Sequence, residues 1–411
     1  MRAYFLLNKI QNSSLVSFII SSIFLAIAAL FQLLGLAFGD RADVVLNDFS
    51  IALLRLIPYV FCVFITSYFT RDNRLLKTFW SVFCLVMFST AYDGDVSFIA
   101  GITVALVCSL FFNRFNKPIS FTVTLVTAVI FGVLLNTTGD YLSDMQMSFA
   151  YSISNKGILS SIIFAVVSTF LSLFGNNSFM DLFFYKSYGG TIINNDDVIT
   201  GIKDLVANDY SGDLISTYMT GHYFILFALV GVALCLCDEL KKGQKLCLII
   251  VTVCAVLSGN FSLLLLFIFF ESWYLFFSVL IISALSYVIA VLLDIRAAYI
   301  LDGGIVEMIM NIDKPVYLLV CGLVFIAIGY FITKFSVLKN GISDFLNIYI
   351  PNRLNKLVNA FGGIVNIIKV KEDTVEVRNP KLVNNFDIDC EIRENVVKVN
   401  NDLIKDLKEY L

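Results

Sequence analysis

Polar side chains able to engage a ligand are scarce in this chain, and they come in clusters. Asp294, Arg296, Asp302 and Glu307 share one short stretch; Asn176 and Asn177 follow Gly175; Asn194 and Asn195 precede Asp196 and Asp197; Asn260 and Ser262 flank Phe261 just after Ser258 and Gly259. Amides, carboxylates and hydroxyls in such groups hydrogen-bond a polar solute such as a sugar, and a guanidinium adds a fixed positive donor. Ionisable groups at membrane depth are costly and mark solute pathways, whereas the same charges in an interfacial loop are simply solvated. Both readings stand for Asp294, Arg296, Asp302 and Glu307. Glu271, beside Trp273 and Tyr274, is either a helix-end charge in an aromatic interface belt or a buried pathway acid.

Covalent and metal chemistry find little support. Eight of the nine cysteines, from Cys62 to Cys321, sit in apolar runs without the paired spacing of a zinc site or a disulfide framework, and read as small apolar fillers. The single histidine, His222, reads as a helix-end or interfacial residue. No metal site and no cofactor is expected.

These clusters interrupt a chain of 411 residues that is 58% hydrophobic and only 15% charged. Its mean hydropathy of +0.85 lies far above that of a soluble domain. Apolar runs recur along the first 335 positions, each long enough to cross a hydrocarbon core of ~30 Å as a helix. The run Leu15–Phe38 is over-long for a secretory signal and is read as a retained first helix. A net charge of -3 with no basic stripe argues against nucleic acid as a partner.

Positive charge marks cytoplasmic loops. Basic loops at Arg71/Arg74/Lys77, Arg114/Lys117, Lys241/Lys242/Lys245 and Lys334/Lys339 alternate with acidic ones at Asp40–Asp48, Asp93/Asp95 and Asp140/Asp144. Six crossings up to residue 174 alternate correctly; parity then fails twice, over 176–222 and over 258–314. Irregular backbone is tolerated at membrane depth only where protein buries it or it lines a wet cavity, so re-entrant hairpins in these two stretches are the expectation. A plain polar loop plus one missed short span is the alternative. The fold class expected is an α-helical polytopic membrane protein with about ten transmembrane helices and two re-entrant hairpins. From Asn340 the chain turns polar and charged. Thr374–Val377 and Val396–Val399 alternate like short strands and Asn401–Leu411 is amphipathic, which predicts a small C-terminal α+β cytoplasmic domain.

The run from Asp294 to Asn311 resembles the stretch G-I-R-H-G-F-T-F-S-A-G-L-I-D-Y-L-L-N of the glucose-type enzyme IIC permeases of the phosphotransferase system. Gly329–Phe335 resembles the end of the last helix in that family, and Leu357–Ile367 resembles the opening of its IIB domain. The resemblance implies an enzyme IIC-like membrane domain over 1–339, a linker over 340–356 and a degenerate IIB-like cytoplasmic domain over 357–411. It also implies the bacterial inner membrane, both termini in the cytoplasm, a homodimer, and separate IIA or IIB components as partners.

The departures bear on chemistry. A IIB domain carries its phosphoryl group on a cysteine thiolate; Asp373 stands at that degenerate phosphorylation position, and Glu376 stands where the family has an arginine. The family motif G-I-T-E-P-I-E-F corresponds to Gly259–Leu266, with both acids gone, and F-G-I-H-G corresponds to Phe174–Ser178, with Asn177 in place of the histidine. The expected protein is a permease-like one that binds or moves a sugar or related polar solute without phosphorylating it. Its candidate contacts are Asn176, Asn177, Asn194, Asn195, Asn260, Ser262, Arg296, Asp302 and Glu307. The alternative is a non-transporting sensor, receptor or scaffold descended from such a permease; an active phosphotransferase component is the third reading.

Overall fold

The computed structural model describes residues 2–340, except 39, 71–72, 93–95, 115–116, 155, 176–177, 187–189, 195–196, 209–212 and 241. Beyond these it describes Phe361, Val383 and 367–370, 374–377, 390–393 and 396–399. The chain divides into two compact units, Ile10–Thr333 and Met1–Lys9 with Lys334–Leu411. It folds as a mostly helical, polytopic membrane protein.

The helices are α1 (Arg2–Phe38), α2 (Asp40–Phe69), α3 (Arg74–Tyr92), α4 (Phe98–Arg114), α5 (Lys117–Ile153), α6 (Ile158–Ser172) and α7 (Ser178–Phe184). A hairpin of β1 (Thr191–Asn194) and β2 (Asp197–Thr200) follows, then α8 (Ile202–Ala207), α9 (Leu214–Tyr218), α10 (Thr220–Glu239), α11 (Lys242–Ser258), α12 (Ser262–Glu271), α13 (Trp273–Leu292), α14 (Ile305–Met310) and α15 (Pro315–Asn340). Among the described residues, seven spans are long and apolar enough to cross a membrane: Ser14–Gly35, Val44–Phe69, Arg74–Tyr92, Pro118–Ile153, Leu214–Asp238, Trp273–Leu292 and Pro315–Phe335. Four shorter apolar helices accompany them. Two stretches expected as acidic loops, Asp40–Asp48 and Asp140–Asp144, lie inside α2 and α5. Isolated acids lower helix propensity only by tenths of a kcal/mol, ~0.7 at most, so they do not end a helix already propagating.

Contacts fix the helix directions. Phe18 meets Phe61 and Phe31 meets Phe49, at centroid separations of 5.3 and 6.2 Å, so α1 and α2 are antiparallel. In α6 and α13, Ser283 Oγ donates to the Ala165 carbonyl at 3.0 Å, while Phe170 sits 6.4 Å from Phe276, again antiparallel. Thr220 Oγ1 donates to the Ile295 carbonyl at 2.9 Å, which sets the start of α10 beside the end of α13. The start of α15 joins the same end, where the Asp313 N–H donates to the Arg296 carbonyl at 3.0 Å, so α10 and α15 run the same way. Gly322 lies against Phe227, Gly231 against Ile326 and Gly329 against Ala228, and a Cβ on Gly231 or Gly329 would overlap the facing backbone. Small residues let two helices approach this closely in an apolar medium.

With α10 and α15 parallel and α13 opposed to α10, α11 and α12 must return the chain to the end where α10 finishes. Ten residues of α12 rise ~15 Å, half of a ~30 Å core. Similarly, Phe164 of α6 packs on Phe179, Phe183 and Phe184, so α7 folds back along α6. The two parity failures therefore fall where the chain has short, buried, half-length helices.

In the second unit, β3 (Ile367–Val370), β4 (Thr374–Val377), β5 (Cys390–Arg393) and β6 (Val396–Val399) form an antiparallel sheet in the order β3-β4-β6-β5. Val375, Val377 and Val397 are its buried face. Asp373, the expected linker from 341 onward and the expected helix Asn401–Leu411 lie outside the described residues.

Candidate functional site

The second polar stretch organises itself around one carboxylate. Glu307, 5% exposed on α14, accepts the backbone N–H groups of Ile300 and Leu301 at 2.9 Å through Oε1 and that of Gly303 at 2.8 Å through Oε2. Three charge-assisted hydrogen bonds hold an otherwise irregular loop to one path. That path carries Tyr299 and Asp302. The strip 258–260 at the end of α11 docks on it. Gly259 has φ +80 and a Cβ there would stand 2.5 Å from the Gly303 carbonyl carbon, so only glycine fits both the turn and the approach. Asn260 then makes an Asx turn into α12, its Oδ1 accepting the Ser262 N–H at 3.1 Å.

The first polar stretch supplies the opposite wall. Lys203 on α8, 8% exposed, donates to Tyr185 Oη at 2.9 Å and to the Leu301 carbonyl at 2.8 Å, tying the two stretches together. Its ammonium stands 4.8 Å from the Tyr185 ring centroid, in cation–π range. Lys203 also offsets the carboxyl charges of Asp181 and Asp302.

His222 and Tyr299 occupy the floor. They are 5% and 1% exposed, with ring centroids 5.1 Å apart; the His222 imidazole lies against the backbone of Gly259 and Asp302, and Tyr299 Oη is buried with no hydrogen-bond partner among the described residues. Around them lies a cleft of about 510 Å³, counted with the space at its mouth, whose lining includes Asp181, Lys203, His222, Asn260, Tyr299 and Asp302. The aromatic faces of Phe184, Tyr185 and Phe261 line it as well.

Of the residues singled out in the sequence, Asn260, Ser262 and Asp302 come together here. Glu307 lies behind the cleft and spends its carboxylate on the loop backbone. Arg296 is elsewhere: its side chain is 37% exposed and pairs with Asp213 and Asp294 at 3.0 Å, the solvated-loop reading of that charge. Asn194 belongs to the β1–β2 hairpin, and Asn176, Asn177 and Asn195 lie outside the described residues. His222 does open α10, but within the cleft rather than at an interface. Asp181, Lys203, Tyr185 and Tyr299 were not singled out for binding; the only sequence signal for Lys203 was its place, with Lys186, inside a stretch already flagged for its broken parity. Glu271 ends α12. The eight cysteines from Cys62 to Cys321 are unbridged, six of them buried.

No known protein family and no curated protein matches this chain in sequence. Assignment of function therefore rests on the cleft itself.

Proposed function

We propose that the cleft binds a neutral, hydroxyl-rich solute, a sugar or a close relative, and that the protein is a permease-like carrier of it. The observation that carries this is Tyr299 Oη, buried at the cleft floor without a partner among the described residues, beside the His222 imidazole. Buried polar atoms are almost always hydrogen-bonded, and one that is not calls for a water, an ion or a ligand. A hydroxyl group serves it, accepting from the phenol. The remaining polar lining, one ammonium against two carboxyl groups and an amide, suits hydroxyls better than a fixed charge. Flat aromatic faces beside it suit the apolar face of a sugar ring.

A transport role is supported by where the cleft is built. It lies between two interruptions of helix at which the crossing count requires re-entry, and irregular backbone at that depth is tolerated next to a wet cavity. In this reading α6–α7 and α11–α12 are re-entrant hairpins, and the ends of α10 and α15 face the cytoplasm by their neighbouring lysines. The bacterial inner membrane, and descent from an enzyme IIC-like permease whose phosphorylating cysteine has become Asp373, follow from the resemblance of Asp294–Asn311 to that family.

The test is calorimetric titration of the purified full chain with glucose, followed by uptake of radiolabelled glucose into proteoliposomes. Saturable binding lost in His222→Ala, with saturable uptake, supports the proposal. Binding without uptake supports the sensor or scaffold reading instead, and the absence of both removes sugar as the solute.

A further inference from the structure

A second cleft, of about 950 Å³ counted with the open space at its mouth, adjoins the first, and the two share Asn260 and Ser262 as a common wall. The rest of its lining includes Leu25 of α1, Leu54 and Pro58 of α2 and Phe98 of α4, elements the first cleft does not use, together with Leu263 of α12. The end of α6 continues the same partition, with Ser172 facing the first cleft and Gly175 the second. The second cleft is closed at one end. Phe61 stands one helical turn beyond Ile57, Phe267 one turn beyond Leu263, and Phe18 two turns before Leu25 on the antiparallel α1. All three displacements point the same way, because Phe18 touches the others: its centroid is 5.3 Å from Phe61, 5.7 Å from Phe267 and 6.2 Å from Phe270, each edge-on. Phe98, itself in the lining, reaches Phe61 at 6.0 Å. Phe18, Phe61 and Phe267 are wholly buried.

We infer that the second cleft is the onward leg of the solute's route and that the phenylalanine cluster from α1, α2 and α12 is its closed gate. The inference rests on the carrier reading above. An apolar constriction excludes water without a covalent or ionic lock, and it blocks polar solutes for the same reason. The half-length α12 carries both the partition, at Ser262, and two of the gate residues, Phe267 and Phe270. A single displacement of α12 thus opens the wall and loosens the plug together.

The experiment is osmotic swelling of proteoliposomes in xylitol, with the full chain reconstituted. Phe18→Ala and Phe61→Ala are expected to raise the swelling rate roughly fivefold over the unmodified chain, because removing a plugging ring admits water and the polyol. Phe224→Ala is the control: Phe224 is equally buried, stacked on Phe325 at 5.1 Å and outside both clefts, and is expected to swell at the unmodified rate. If an alanine variant fails to elute as a single species, Phe61→Leu replaces it, with a smaller increase expected. Gate variants that elute normally and swell no faster than the control overturn the proposal. A leak without glucose binding overturns sugar as the solute and leaves the route; glucose binding without a leak overturns the route alone.

Discussion

His222 and Tyr299 face one another at 5.1 Å with their rings tilted by 41°, and Tyr299 buries a hydroxyl that nothing in the described protein satisfies.

The Tyr299→Phe variant separates a ligand contact from a structural one. Removing an unpaired buried hydroxyl relieves a desolvation cost, so the empty protein is expected to melt at the same temperature or slightly higher. Glucose affinity is expected to fall roughly fivefold to tenfold, the worth of one hydrogen bond. Thermal unfolding and calorimetry on the same preparation check both halves. A lower melting temperature at unchanged affinity contradicts the assignment.

Glu307 is expected to behave as a positioning residue. Glu307→Ala leaves three backbone N–H groups in a buried loop without an acceptor, a loss of about 3 kcal/mol or more. Glu307→Gln keeps one side-chain oxygen and is expected to lose less. Hydrogen exchange over 299–304 is the readout, since it should accelerate in both variants even where global unfolding shifts little.

Acid is expected to loosen the loop that begins at Asp294. A hydrogen bond from Arg296, together with the nearby charges of Arg296 and Lys314, holds the Asp294 carboxyl below its ordinary range. A carboxylate whose folded pKa is depressed contributes stability that is complete above its unfolded value and is lost as pH falls through the folded one. Protection of 294–313 should therefore be constant at neutral pH and decline only below roughly pH 4. Asp294→Asn should remove that dependence. Because the carboxylate is exposed, the effect should also weaken in high salt.

Crowding the α10–α15 crossing is expected to destabilise the membrane unit without touching the cleft. Gly329→Leu forces a side chain into the Ala228 backbone and should cost about 1–3 kcal/mol or more, with the variant melting earlier in detergent. Gly243→Ala, with no atom within 4 Å of the added carbon, serves as the silent comparison.

What the sequence determined by itself was the solvent and the places of interruption. Apolar length sets which segments prefer hydrocarbon, and lysine placement sets an alternation that either closes or fails; both are one-dimensional quantities, legible before any contact is known. Hence the helices, the two broken stretches and the contribution of Asn260, Ser262 and Asp302 were accessible from residue order alone. Only the tertiary structure decided which polar residues meet. Lys203 joins Leu301 across 98 positions, and nothing local distinguishes it from any loop lysine. Arg296 and Glu307 sit in the same sequence cluster as Asp302, yet the loop turns Arg296 outward to Asp213 and Glu307 inward to its own backbone. The reason is physical: a buried polar group is assigned by whichever partner three-dimensional packing leaves nearest. Tyr299 stands out because the fold leaves its hydroxyl with no such partner among the described residues.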